Sequence, residues 1–221
     1  MKAFISYSTK YDNISKEIKY FLSTLNIDSF VASEDLRTSS NWKHEIIKNL
    51  RDSKIFIPLL SKEFKDSNWC SQEMGIAYIR KLKIIPLSID ETKPYGFISD
   101  IQSKSITAND KELVILEGLM EYKIQNGIDG VLNKLEESGT YRYSEELFKI
   151  FGKYLEKLSG NDLNRVIKIC IQNSQIWNAS ECQKHYLPSL IKKRNNDIQP
   201  DLLQKIEYQI TQGTWYKEND V

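Results

Sequence analysis

The chain has 221 residues, of which 40% are hydrophobic, 28% charged and 11% aromatic, a composition that suits a buried core and excludes intrinsic disorder. Its 31 basic and 30 acidic side chains nearly cancel, so no global field attracts nucleic acid or an anionic membrane. Cys70, Cys170 and Cys182 are widely spaced and odd in number, and no apolar run reaches membrane-spanning length, which argues against disulfides, zinc and membrane insertion and favours the cytoplasm.

The first half of the chain alternates short apolar runs with amphipathic segments. Residues 3–8 have the pattern of a buried strand, and from Asn13 onward apolar residues recur at helical spacing. Further strand patterns lie at residues 29–32, 55–60 and 84–87, and helical patterns lie at residues 42–50 and 69–81. Ser67 or Asn68 can cap the last of these helices. Strands that alternate with helices in this way predict a parallel sheet with helices on both faces.

Two prolines fall inside these strand patterns. Pro58 and Pro86 lack the backbone N–H that a strand donates to its neighbour. We therefore expect each of them near the end of a strand or at an irregularity in the pairing.

Beyond the fourth strand pattern the alternation weakens and then disappears. Residues 104–106 suggest a fifth strand, and the apolar positions in residues 128–135 suggest a helix that closes the sheet domain. The patterned segments that follow are all helical. Because Gly139 marks a break between the two kinds of pattern, we expect a sheet domain over residues 1–138 and a small all-α domain over residues 139–221.

Three polar segments follow the predicted strands. Tyr7 and Ser8 end the first strand, residues 33–41 follow the second, and residues 65–73 follow the third. Ligands of open α/β sheets bind beyond the carboxyl ends of the strands. These segments are therefore the predicted ligand site.

The sequence lacks the residues that several common kinds of functional site require. The nine glycines form neither a G-x-G-x-x-G nor a phosphate-binding loop, which excludes a Rossmann dinucleotide turn and phosphoryl transfer. His44 and His185 are the only histidines and have no companion motif, so a histidine-activated nucleophile or a metal–histidine site has little support. A phospho-acceptor receiver domain would need an aspartate after the third strand, where the chain has Leu60 and Ser61.

One helical segment carries an unusual carboxylate. Trp69 and Glu73 are four residues apart and share a helix face, which continues through Ile76 and Ala77. Charged side chains normally lie on the solvent-exposed face of an amphipathic helix. Because Glu73 lies on the apolar face instead, it is a candidate catalytic group. The structural alternative is that a glutamate in an early turn is stabilised by the helix macrodipole.

Three motifs resemble, in order and spacing, the conserved boxes of Toll/interleukin receptor (TIR) domains. They are Phe4-Ile5-Ser6-Tyr7-Ser8, the Asp35-Leu36 loop with Trp42-x-x-Glu45-Ile46 after it, and Ser67-x-Trp69-Cys70-x-x-Glu73. The resemblance covers the first half of the chain. It implies the TIR fold, a flavodoxin-like parallel five-stranded sheet with helices on both faces, here followed by a small all-α domain.

The resemblance also implies an activity on NAD. In catalytic TIR domains the glutamate of the third box is essential for breaking the bond between nicotinamide and ribose, and Glu73 matches it. One carboxylate suffices for this chemistry, because nicotinamide leaves as a neutral molecule and needs no general acid. Glu73 would hold the ribose hydroxyls and stabilise the oxocarbenium-like charge. NAD is the substrate, and neither a cofactor nor a metal ion is implied.

Five further side chains have substrate-binding roles by the same resemblance, namely Ser6, Tyr7, Ser33, Asp35 and Trp69. Four of them also have a structural alternative. Ser6 and Tyr7 could pack at a strand end, Asp35 could be a solvated loop carboxylate, and Trp69 could be a core aromatic.

Catalytic TIR domains often need a neighbouring copy to complete the active site, and the loop before the second helix lies at that contact. Here residues 33–42 lack the glycine that many members carry, so the conformation of this loop is open. We expect a homo-oligomer, with activity only in that form.

Stand-alone bacterial TIR proteins of this size resemble Thoeris-like antiphage-defence components. That resemblance implies either NAD depletion or a cyclic ADP-ribose signal for a partner effector, and the sequence leaves the hydrolysed and cyclised products open. The helical tail is either an oligomerisation or sensing module or a packed extension.

Two other functions share these features. A noncatalytic TIR adaptor would use the same fold to recruit other TIR domains, although many adaptors lack the glutamate. A nucleoside ribosyl-transferring enzyme of related architecture would use a carboxylate as a covalent nucleophile at the anomeric carbon.

Overall fold

The structure is a computed structural model, and it describes residues 1–32, 41–106 and 111–212. The chain divides into two compact units, Met1–Tyr122 and Lys123–Val221.

The first unit is built on a parallel sheet. Its strands are β1 Lys2–Ser6, β2 Asp28–Val31, β3 Ile55–Leu60, β4 Lys83–Ile84, β5 Leu87–Ser88 and β6 Lys104–Ser105. Their order is β2-β1-β3-β5-β6, with β4 also paired to β3, and every pairing is parallel. Because β4 and β5 follow one another along β3, the sheet has the five positions that the sequence predicts.

Both prolines lie at one irregularity of this sheet, as expected. The pairing of β3 with β4 stops at Phe56, and pairing with β5 resumes at Leu59. Pro58 lies in β3 between these positions, and Pro86 separates β4 from β5. Neither residue can donate to a ladder, so the fourth position of the sheet is interrupted there.

Helices cover the two faces of the sheet. In the first unit they are α1 Asp12–Thr24, α2 Trp42–Asp52, α3 Lys62–Asp66, α4 Asn68–Ile79 and α5 Lys111–Tyr122. All residues of β3 are buried, as a central strand of a sheet with two covered faces requires. This architecture is the predicted flavodoxin-like α/β fold.

Helix α5 closes the first unit and is not predicted by the sequence. Four apolar residues in succession, Leu113–Leu116, interrupt the helical spacing of apolar and polar residues, so the sequence pattern does not indicate a helix there. In the fold Leu116 and Leu119 are fully buried, and α5 packs on α1. The helix that the sequence assigns to this closing role, α6 Ile124–Glu136, packs on helices of the second unit instead. The division between the units therefore precedes Gly139.

Two serines begin the helices that follow β3. Ser61 accepts a hydrogen bond of 3.0 Å from the Phe64 N–H at the start of α3. Ser67 accepts one of 3.3 Å from the Cys70 N–H at the start of α4, which is the predicted cap. Since β3 ends at Leu60 and α4 packs on β1 and β3, the first turns of α4 lie at the carboxyl edge of the sheet.

Helix α4 is anchored to this edge by apolar side chains. Met74 and Ala77 belong to one buried cluster with Phe4 of β1 and Phe56 of β3. The two phenylalanine rings stack with their centres 5.9 Å apart. Burial of a side chain of this size stabilises a fold by about 1.5–3 kcal/mol, so α4 is held against the strand that carries Ser6.

Every regular element in the described residues of the second unit is a helix. Its α-helices are α6 Ile124–Glu136, α7 Tyr141–Phe151, α8 Gly160–Gln172, α9 Ser174–Trp177, α10 Leu187–Arg194 and α11 Pro200–Gln212. None of the helices in the described part of either unit combines the length and the apolar character that crossing a membrane requires.

Candidate functional site

A glutamate and a serine meet where β1 ends. Glu73 lies in the second turn of α4 with 4% of its surface exposed, and Ser6, the last residue of β1, is fully buried. The Ser6 hydroxyl donates a hydrogen bond of 2.5 Å to Oε2 of Glu73. The structure therefore brings together two of the residues that the sequence selected.

The burial of Glu73 changes its acidity. Removal from water raises the pKa of Glu73 to about 7, and the hydrogen bond from Ser6 opposes this rise because it favours the charged carboxylate. Both protonation states of Glu73 are therefore populated near neutral pH. A buried carboxyl group with a strongly raised pKa is typical of functional sites.

Tyr7 contacts the site through its backbone and not through its phenol. Its side chain is buried, and the hydroxyl donates a hydrogen bond of 2.8 Å to Asp12 in the first turn of α1. Its carbonyl oxygen accepts a contact of 3.6 Å from the thiol of Cys70 in α4. Tyr7 thus links the end of β1 to α1 and to α4.

Cys70 adjoins the same edge but is not equipped as a nucleophile. Its side chain is 4% exposed, and burial raises the pKa of its thiol to about 11. Only the thiolate is a strong nucleophile. Cys70 is therefore a packing residue at this edge.

Trp69 lies one helical turn before Glu73. Together with Trp42 and Lys43 it forms a group of exposed or half-buried side chains that we call the rim of the candidate site. It is 41% exposed, so it is not a core aromatic. Its ring meets that of Trp42 edge to face with centres 4.4 Å apart. The Lys43 ammonium lies 5.7 Å from the centre of the Trp42 ring and 5.9 Å from that of Trp69. The sequence motif includes Trp42 but gives neither residue a role, because their contacts depend on how α2 packs on α4.

An ion pair between Lys10 and Glu63 connects the turn after β1 to α3, the helix that follows β3. Lys10 donates a hydrogen bond of 2.5 Å to Glu63 of α3, and the Tyr11 hydroxyl donates one of 3.2 Å to the same carboxylate. The Lys10 ammonium is the main cause that lowers the pKa of Glu63 to about 2. This exposed contact spans the two segments that flank the Ser6–Glu73 pair.

The remaining predicted binding residues, Ser33 and Asp35, lie outside the described residues. Their position relative to Glu73 therefore stays a prediction.

A cavity of about 320 Å³ in the first unit lies elsewhere. Its lining includes Lys83, Lys104, Glu117 and Glu121, and it does not include Ser6, Trp69 or Glu73. Lys83 pairs with Glu121 at 2.7 Å and Lys104 with Glu117 at 2.5 Å. Because these cations are already paired, we assign no function to this cavity and place the candidate site at the carboxyl edge of the sheet.

Comparison with known proteins matches this part of the chain to one family. The family model of the TIR domain matches residues 3–116. That range contains β1 to β6 and α4, with the Ser6–Glu73 pair. None of the curated proteins compared with the chain matches it.

Proposed function

Because the chain belongs to the TIR domain family, we propose that it cleaves the bond between nicotinamide and ribose in NAD with Glu73 as the catalytic carboxylate. TIR domains include NAD-cleaving enzymes and noncatalytic adaptors. The observation that supports the enzyme is the buried Glu73 at the carboxyl edge of the sheet, held by Ser6.

A buried carboxylate at this position is costly to the fold. Its raised pKa shows that the protein environment disfavours the charge, and a neutral side chain would avoid that penalty. Such a cost is typical of a group that serves a ligand or a reaction rather than the fold.

The proposed reaction uses the charge of Glu73 directly. The C–N bond between ribose and nicotinamide breaks, and its electron pair leaves with nicotinamide, which becomes neutral. The positive charge that develops on the ribose is stabilised by the Glu73 carboxylate. Attack by water then gives ADP-ribose and releases one proton, whereas attack by an atom of the substrate's own adenosine moiety gives cyclic ADP-ribose.

The neighbouring residues have supporting roles in this proposal. Ser6 orients the Glu73 carboxylate and favours its charged form. Trp69 forms an aromatic wall at the rim, and Tyr7 holds the end of β1 against α4 through its carbonyl. Ser33 and Asp35 are proposed to contact the substrate from the loop between β2 and α2, on the basis of the family resemblance.

We further propose that the enzyme works as a homo-oligomer in antiphage defence. In that setting ADP-ribose formation would deplete NAD, and a cyclic product would signal to a partner effector. The second unit, which is helical in its described residues, would contribute to assembly or sensing.

A noncatalytic adaptor is the second candidate, and one surface of the first unit favours it. Tyr78 and Phe97 stack with ring centres 5.3 Å apart although they are 44% and 63% exposed, and neighbouring Ile79 is 76% exposed. Exposed apolar side chains in one place are typical of interaction surfaces.

The test compares NAD consumption by the concentrated protein, by its Glu73→Gln variant and by a Glu91→Gln control, which alters an exposed carboxylate of the same unit. Products are separated by chromatography and identified by mass. We expect nicotinamide release by the parent and by the control but not by Glu73→Gln. If the parent releases none, even when assembled or exposed to a phage trigger, the adaptor function is favoured instead.

A further inference from the structure

Lys43 is an exposed cation at the rim of the candidate site. It follows Trp42 at the start of α2, and its ammonium lies within 6 Å of the centres of two indole rings, at 5.7 Å and 5.9 Å. These are the distances of cation–π contacts. The two indoles therefore hold the lysine head group close to Trp69.

No carboxylate in the described part of the chain is paired with Lys43. Lys10, a second cation near this edge, is paired with Glu63 at 2.5 Å. Within residues 1–32, 41–106 and 111–212, by contrast, no carboxylate forms an ion pair with Lys43. Among the described side chains, none competes with an anionic ligand for the charge of Lys43.

Trp69 connects this cation to Glu73. The two residues are four positions apart in α4, a rise of about 6 Å along a helix. A ligand whose reacting carbon lay at Glu73, and which ran toward the amino end of α4, would therefore pass Trp69 and reach the Lys43 ammonium beside that ring.

The chemistry of the substrate supplies an anion at this distance. In NAD the ribose that bears nicotinamide carries a pyrophosphate on its 5′ carbon, across the sugar ring from the reacting carbon. We propose that Lys43 binds this pyrophosphate and makes the site select a dinucleotide over a nucleoside. This inference rests on the NAD-cleaving function proposed above, and it names a specificity-determining residue for that reaction.

The first test measures the binding of ADP-ribose, which carries the pyrophosphate but cannot react, by calorimetry. Lys43→Met keeps an apolar stem against the indoles and removes the charge. Lys48→Met is the matched control, since Lys48 is exposed on the same helix. We expect affinity about tenfold lower for Lys43→Met, as for the loss of one hydrogen bond to a charged group, and parental affinity for Lys48→Met and Lys43→Arg.

The second test compares nicotinamide release from NAD and from nicotinamide riboside, which has no phosphate. Lys43→Met should lower kcat/KM for NAD by about tenfold and leave the value for the riboside unchanged. Absence of ADP-ribose binding by the parent, parental affinity of Lys43→Met, or equal losses on both substrates would overturn the assignment.

The two proposals fail in different ways. A parent that binds ADP-ribose through Lys43 but releases no nicotinamide contradicts the NAD-cleaving function and supports the pyrophosphate site. A parent that releases nicotinamide, with a Lys43→Met variant that equals it in both tests, contradicts only the assignment of Lys43.

Discussion

The Ser6 hydroxyl and the Glu73 carboxylate are joined by a hydrogen bond of 2.5 Å although they lie 67 positions apart in the chain. This bond connects the end of β1 to the second turn of α4. Burial raises the pKa of Glu73 to about 7, and Ser6 works against that rise. One ionisation therefore affects both the stability of the first unit and its proposed activity.

The stability of the first unit should fall as the pH rises toward neutrality. Between the ordinary pKa of 4.5 and the folded pKa of about 7, the folded chain keeps a proton on Glu73 that the unfolded chain has released. Stability decreases with pH through this window and is level above it. Glu73→Gln removes the effect, so we expect this variant to be more stable than the parent at pH 8 by roughly 1–3 kcal/mol, and equal to it near pH 4.5.

Hydrogen exchange of the amides in β1 and α4 measures this difference in the first unit alone. The control is Glu91→Gln, which changes an exposed carboxylate and should give no difference that depends on pH. A loss of stability in Glu73→Gln at pH 8 would contradict the prediction, because it would mean that the charged carboxylate stabilises the fold.

The pH profile of NAD cleavage should report the same group. If the carboxylate is the active form, kcat/KM rises with pH and becomes level above about 7. Ser6→Ala removes the hydrogen bond that favours the charge, so the inflection should move to higher pH by about one unit. The profile is measured from pH 5 to 9 in parallel with Ser8→Ala, whose side chain makes no capping hydrogen bond. An inflection that stays in place in Ser6→Ala, or moves to lower pH, would refute the role of Ser6.

Several features of this site could be predicted from the sequence with general rules. The cap at Ser67 and the spacing of Trp69 and Glu73 are properties of one segment, and the sequence displays them. The meeting of Ser6 with Glu73 follows from the rule that ligand-binding residues of parallel sheets gather at the carboxyl ends of the strands.

Other features depend on packing that no local pattern encodes. The hydrogen bond from the Tyr7 hydroxyl to Asp12 depends on how the chain turns from β1 into α1. The contacts of Trp42 and Lys43 with Trp69 require the packing of α2 on α4. In α5 the run of apolar residues at Leu113–Leu116 conceals the helical period.

The contact between Trp42 and Trp69 should appear as an energetic coupling. Edge-to-face aromatic pairs contribute about 0.5–1.5 kcal/mol beyond the area that they bury, and these ring centres are 4.4 Å apart. In a double-mutant cycle, Trp42→Ala and Trp69→Ala should together cost less than the sum of their separate effects by that amount. The free energies are measured by hydrogen exchange in the first unit.

The control cycle combines Trp42→Ala with Phe97→Ala. Phe97 stacks on Tyr78 at the other end of α4, nine residues from Trp69, or roughly 13 Å along the helix. Sites at this separation are normally additive. Additivity in the Trp42–Trp69 cycle as well would contradict a direct contact between the two indoles.

Gly152 should be intolerant of a methyl group, whereas Gly160 should accept one. A Cβ at Gly152 would lie 2.5 Å from the Tyr186 ring, and that ring is also in contact with Phe148, with the two ring centres 5.6 Å apart. A Cβ at Gly160, the first residue of α8, meets nothing within 4 Å. Overpacking costs about 1–3 kcal/mol, and a glycine replaced by alanine in an unstrained helix gains up to about 1 kcal/mol. Denaturant unfolding should therefore show a lower free energy of unfolding for Gly152→Ala than for the parent, and a higher one for Gly160→Ala.

Equal stability of the two variants would contradict this prediction. It would mean that the Tyr186 ring can turn into the cavity of about 300 Å³ that it lines, so that residue 152 need not be glycine.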